Sequence, residues 1–158
     1  MKTRIDYMTV SPESFQAVWA LEQFVSRDAA LDARLLQLVK IRASQINGCA
    51  FCVDMHVKEA RKQGMSEQWI ALICTWRESR LYDDRERAVL GWTEALTNIS
   101  SSGAPDSDYE AMRAHFSPEE ITKLTVAVGT INLWNRMAVG FRSLHPIDQG
   151  TLDMARSA

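Results

Sequence analysis

Apolar residues recur along the chain at intervals of three and four, and no stretch alternates with period two. Phe15, Val18, Trp19 and Leu21, running toward Val25, form one such stripe. Ser11-Pro12-Glu13 opens it, with a hydroxyl N-cap ahead of a proline at the first helical position. A second helix is predicted from about Leu31 to Ile46, with Leu31, Leu35, Leu38, Val39 and Arg42 on successive turns. It meets Asn47-Gly48, a pair that tolerates positive φ. A third starts with Cys49 in its first turn and ends near Gly64, after the basic turn Arg61-Lys62. Further helices are predicted at Ser66 to Trp76, at Asp84 to Ile99 and around Asp108 to His115. Ser117-Pro118-Glu119-Glu120 is a capping box that opens a long helix to about Phe141. The pattern is all-α.

With 158 residues, 46% hydrophobic and 24% charged, the chain is predicted to form one domain over residues 1–158. The segment SSSGAPDSD, beginning at Ser100, is the one loop of any length and is too short for an interdomain linker. Lys and Arg are scattered and the net charge is −2, which leaves no electrostatic footprint for nucleic acid or an anionic membrane. No apolar run approaches the roughly 20 residues that span a bilayer, and the first residues lack a signal peptide's apolar centre, so the cytoplasm is the expected compartment. There Cys49, Cys52 and Cys74 are kept reduced, and a close pair points to catalysis, redox sensing or metal.

That pair lies in NGCAFCVDMH, Asn47 to His56. On a regular helix Cys49, Cys52 and His56 fall within about 60° of one another. Cys52 and His56 are four apart, the spacing at which an imidazole accepts or returns a thiol proton. The partial positive charge of a helix N-terminus favours thiolate over thiol. A peroxide oxidises such a thiolate to a sulfenic acid, which a neighbouring thiol converts to a disulfide, and an external dithiol resets the pair.

Other readings of this stretch stay open. A thioredoxin-like CxxC requires a βαβ pattern that the sequence lacks. Covalent haem attachment fails because Val53 stands where the histidine is needed. Zinc held by Cys49, Cys52 and His56 with Cys74, His115 or His145 has no second ligand motif to accompany it. Two buried small hydrophobes beside a satisfied histidine form the plainest alternative.

Elsewhere, Trp19, Trp69, Trp76, Trp92 and Trp134 are expected in core or subunit packing, and Cys74 as a buried hydrophobe. YDDRERA, Tyr82 to Ala88, reads as an acidic helix start with a solvated face, and His115 and His145 as structural or exposed. Asn132, Asn135 and Arg136 are expected to make buried hydrogen bonds to another helix or subunit, with a pocket wall as the alternative.

LLQLVKIRASQINGCAFCVDMHVKEARKQG, residues 35 to 64, resembles the core motif of the AhpD-like alkylhydroperoxidases in the carboxymuconolactone decarboxylase superfamily. The likeness continues more loosely through WRESRLYDDRERAVLGWTEALT and INLWNRMAVGFR. The resemblance implies an all-helical bundle that assembles into trimers or hexamers. It also implies Cys52 as the peroxide-attacking thiol, Cys49 as its resolving partner and His56 in a proton relay. Two positions depart from the family pattern. Gln37, twelve residues before Cys49, stands where the relay glutamate is usual, and Phe51 stands where the best-known AhpD proteins carry a histidine between the cysteines. The relay as the family builds it is therefore incomplete, and turnover is expected to be weak or to depend on water or an acid from elsewhere.

The expected activity is thiol-dependent reduction of a hydroperoxide in antioxidant defence, with no metal or organic cofactor. An external dithiol, of lipoyl type in some family members, serves as reductant. A redox- or zinc-dependent interaction protein is the first alternative, and a lactone enzyme of the superfamily's decarboxylase branch the second, although that branch lacks the cysteine pair.

Overall fold

A computed structural model of the protein describes residues 1–27 and 31–157. Among them there is no strand, and the all-α expectation holds. The helices are α1 (Tyr7–Val10), α2 (Pro12–Arg27), α3 (Ala33–Ile46), α4 (Ala50–Lys62), α5 (Glu67–Ala71), α6 (Asp84–Thr97), α7 (Ile99–Ser102), α8 (Asp106–His115), α9 (Pro118–Phe141) and α10 (Gln149–Ser157). A 3₁₀ turn over Leu72–Thr75 ends the segment predicted as one helix from Ser66 to Trp76.

Capping chemistry fixes most of these boundaries. The predicted box at Ser117 forms, with Ser117 Oγ accepting from Glu120 N–H and the Glu120 carboxylate accepting from Ser117 N–H. Asp83 and Glu86 form a second box at the start of α6. At the Asn47-Gly48 break, Gly48 takes φ +64°, and Cys49 lies outside α4 as its N-cap rather than inside its first turn. Gly103 and Ala104 take positive φ between α7 and α8, so only the middle of SSSGAPDSD is loop.

The centre of the bundle is α3, which packs against α4, α6 and α9. Every residue from Leu35 to Ile41 is buried, so this stretch of the helix has no solvent face. Leu38 and Ile41 from α3, Leu90 from α6, and Leu124 and Ile131 from α9 are among the largest fully buried side chains. Burying each contributes about 1.5–3 kcal/mol.

Between α3 and α6 a pattern occurs twice. Arg34 Nε and Trp69 Nε1 donate to Glu86 at 2.5 and 3.1 Å, while Arg42 Nε and Trp76 Nε1 both donate to Glu94 at 2.8 Å. Glu86 is 3% exposed, so the YDDRERA segment does begin a helix with acids but turns one of them inward. Cys74 is likewise corrected: it lies on the 3₁₀ turn and is exposed. Trp69, Trp76 and Trp92 pack in the core as expected, whereas Trp19 is 45% exposed. No helix among the described residues is long and apolar enough to cross a membrane.

Candidate functional site

The N-terminus of α4 lies against α3 and α9. A polar stripe on α3, Gln37, Lys40 and Ser44, is buried and spaced three and four apart, which puts it on one face. Ser44 anchors the turn into α4, since its backbone oxygen accepts from Cys49 N–H at 2.9 Å. Asn47 Nδ2 donates to Asn132 Oδ1 at 3.0 Å and to Asn135 Oδ1 at 2.9 Å, and Asn135 Nδ2 donates to Ser44 Oγ at 3.0 Å. Arg136 donates to the backbone and side-chain oxygens of Asn132 at 2.9 and 3.1 Å. The polar residues of α9 thus grip the end of α3, the first of the two roles expected for them.

Both thiols are buried at this turn. Cys49 Sγ accepts the backbone N–H of Cys52 at 3.3 Å, so the sulfur itself caps the helix. Hydrogen bonding from the Cys52 side chain brings Cys49 down to about 7, against burial and with further help from Cys52 N–H, the Asn135 amide and Phe51 N–H. The same contact, followed by burial, drives Cys52 upward. Of the two thiols, Cys49 is therefore the first to give up its proton, and Cys52 the one that keeps it.

Cys52 lies on the wall of a cavity of about 440 Å³, with His56, Gln37, Lys40, Glu22 and Glu59 around it; Cys49 does not line it. Tyr7, Phe15, Trp19, Phe51 and Trp134 supply an aromatic wall. Phe15 is the hub of that wall, its ring centroid 6.1 Å from Trp19, 5.9 Å from Trp134 and 6.5 Å from Tyr7. Tyr7 is brought there by the N-terminal segment, which is tied to the end of α9. Arg4 N–H donates to Phe141 O at 2.9 Å and the Arg4 guanidinium to Gly140 O at 3.0 Å.

Inside the cavity, Lys40 Nζ lies 2.6 Å from Glu22 Oε1 and 3.3 Å from Ser26 Oγ. His56 is 4% exposed, and its Nδ1 lies 2.8 Å from Glu59 Oε2. That contact, chiefly, holds the Glu59 carboxyl below its ordinary value despite burial, with help from Lys40 and the Gln37 amide. Gln37 is buried, and its Oε1 has no hydrogen-bond partner. Among the described residues no group of three or more His, Cys, Asp and Glu side chains is arranged for a metal ion.

Cys52, His56 and Gln37 thus line one cavity, and Cys49 contacts Cys52 from outside it. Sequence reasoning missed Glu22, Lys40, Ser44, Tyr7 and Glu59. Glu59 had a local signal, three residues from His56 on the same helix; the others come from distant elements.

A helical bundle with a buried CxxC pair at a helix N-terminus and a histidine one turn on defines the AhpD-like class. A family model describing the carboxymuconolactone decarboxylase family matches residues 12–95, and the chain belongs to that family. It is 36% identical over 139 residues to YdfG of Bacillus subtilis (strain 168), covering 88% of this chain and 94% of that protein. The crystal structure of ATU0492 from Agrobacterium tumefaciens, a protein of unknown function proposed as an AhpD antioxidant defence protein, is similar with a TM-score of 0.91. Identity there is 60%, with coverage of 93% of this chain and 100% of that one. The debrominase Bmp8 shares the fold at a TM-score of 0.80 and 16% identity, over 88% of this chain and 74% of that one.

Proposed function

We propose that the protein is a thiol-dependent peroxidase that reduces organic hydroperoxides with Cys52 and Cys49. The observation that carries this reading is the asymmetry of the pair: Cys52 lines the cavity, while Cys49 is behind it at the helix N-terminus. A molecule entering the cavity meets Cys52 first.

Cys52 passes its proton to the Cys49 thiolate or to His56, and its sulfur attacks the outer peroxide oxygen. The O–O bond breaks, the alkoxide takes a proton and leaves as an alcohol, and Cys52 becomes a sulfenic acid. Cys49, as thiolate, then attacks the Cys52 sulfur. The hydroxide expelled takes a proton and leaves as water, and a disulfide remains. An external dithiol reduces that disulfide and is itself oxidised to a disulfide. The A. tumefaciens protein's proposed AhpD role and the family membership support this reading.

Assembly as a homo-oligomer belongs to the same proposal. It is supported by the apolar side chains left on the surface, Trp19, Phe24, Leu133 and Val139 among them. Light scattering on the purified protein reads the subunit number directly, and a monomer there would overturn this part.

The test is the intact mass of reduced protein before and after one equivalent of an organic hydroperoxide, beside Cys49→Ser. Loss of two hydrogens in the wild type and gain of one oxygen on Cys52 in the variant are expected. No mass change within minutes would overturn the reading.

A further inference from the structure

Position 37, an amide in this chain, cannot carry a proton at neutral pH. The cavity nevertheless contains a carboxylate in contact with His56. Besides Cys52, its titratable groups are Tyr7 from α1, Glu22 from α2, Lys40 from α3, and His56 and Glu59 from α4. Glu22 is committed to Lys40 at 2.6 Å. Glu59 is the carboxylate that meets the imidazole, at 2.8 Å from Nδ1.

The exposure of the two side chains differs sharply, 5% for His56 and 43% for Glu59. One end of the pair is in the site and the other reaches water. Gln37 lines the same cavity as His56 and Glu59, and its Oε1 has no hydrogen-bond partner.

We infer that Glu59 is the positioning carboxylate of this site, holding His56 with its proton on Nδ1 and its other nitrogen free for the thiol pair. This rests on the reading of His56 as the base for the thiols. The carboxylate that a relay needs has thereby moved from α3 to α4, next to the histidine it serves. When His56 takes a thiol proton, Glu59 stabilises the imidazolium and gives the proton a route to solvent along its exposed edge.

The test is the rate of iodoacetamide alkylation of the reduced protein as a function of pH, which requires no peroxide. Glu59→Gln is expected to slow alkylation at pH 7 about tenfold and to move the profile up by about one pH unit. Glu59→Asp should recover part of the loss. The exchange variant Glu59→Gln with Gln37→Glu should recover more, because it returns a carboxylate to the same neighbourhood. A Glu59→Gln profile that superposes on the wild type would overturn the inference, as would equal profiles for the Gln and Asp variants. Nitrogen-15 NMR of the unaltered protein gives an independent check: a neutral His56 with its proton on Nε2 would overturn it without any variant having to fold. If the protein consumes no peroxide but shows the Glu59-dependent profile, the peroxidase reading falls and this one stands; the reverse result separates them the other way.

Discussion

Two carboxylates reach α3 from opposite sides, and their partners differ. Glu94, on α6, accepts from Arg42, Trp76 and Arg77, and its side chain is 14% exposed. Glu59, on α4, meets His56, and its side chain is 43% exposed. Arginine and tryptophan never give up their protons under ordinary conditions, so the Glu94 cluster has one state and serves as a clamp. An imidazole can both accept and release a proton, and the Gln37 amide in the same cavity is left with an unsatisfied oxygen. The α6 side is saturated and structural; the α4 side is incompletely paired, open to a cavity and able to change state. Burial of polar groups alone does not distinguish a clamp from a site. The proton chemistry of the partners does.

The strongest way to sharpen this contrast is Cys52→Ser. Peroxide consumption should fall by roughly 1,000-fold or more, with the melting temperature nearly unchanged, because the substitution touches the reactive side only. Retained activity would remove Cys52 from its assigned role. Glu94→Ala should do the converse. Leaving Arg42 without its partner is expected to cost about 3 kcal/mol in a urea titration, while thiol alkylation stays at its wild-type rate.

Acid should act on both sides. Burial raises Glu94, but hydrogen bonds from Trp76, Arg77 and Arg42 bring it below its ordinary value of 4.5, and His56 does the same for Glu59. A depressed carboxylate contributes stability that is fully present above 4.5 and lost as pH falls through the lower folded value. The melting temperature should therefore hold between pH 7 and pH 5 with respect to these groups and decline below about 4.5. Glu94→Gln should flatten that decline.

Within the thiol pair, Cys52→Ala removes the main cause that brings Cys49 to about 7. Alkylation of Cys49 at pH 7 should slow by roughly tenfold, and an unchanged rate would show that the helix end alone lowers it. The smallest effect is expected at Gly48, where φ is +64° and the space around a Cβ is open. Gly48→Ala should cost about 1 kcal/mol from backbone strain, with no loss from crowding.

What the sequence made legible was whatever is encoded within one or two helical turns. The capping box at Ser117 and the break at Asn47-Gly48 follow from local spacing, and both appear in the structure, as do Cys52 and His56 on one helix at the wall of one cavity. The misread positions depend on partners far along the chain. Glu86 looked solvated because Arg34 is 52 residues away, and the Lys40–Glu22 pair spans 18 residues. Cys74 looked buried because LICTW is apolar, yet a 3₁₀ turn sends that side chain outward. Glu59 is within local reach, three residues after His56, whereas the family's relay position, 37, lies on α3 and holds an amide.

The sulfur that caps α4 has a thermodynamic consequence. Cys49 Sγ accepts the N–H of Cys52, and a covalent bond formed at that atom changes the acceptor on which the first turn relies. If the cap contributes about 1 kcal/mol to the reduced fold, that amount is withheld from the oxidised form and appears as roughly 20 mV in the midpoint potential of the two-electron couple. Folding stability and electron affinity are then two legs of one cycle. Any substitution that strengthens the start of this helix only in the reduced form makes the protein a better oxidant by the same free energy.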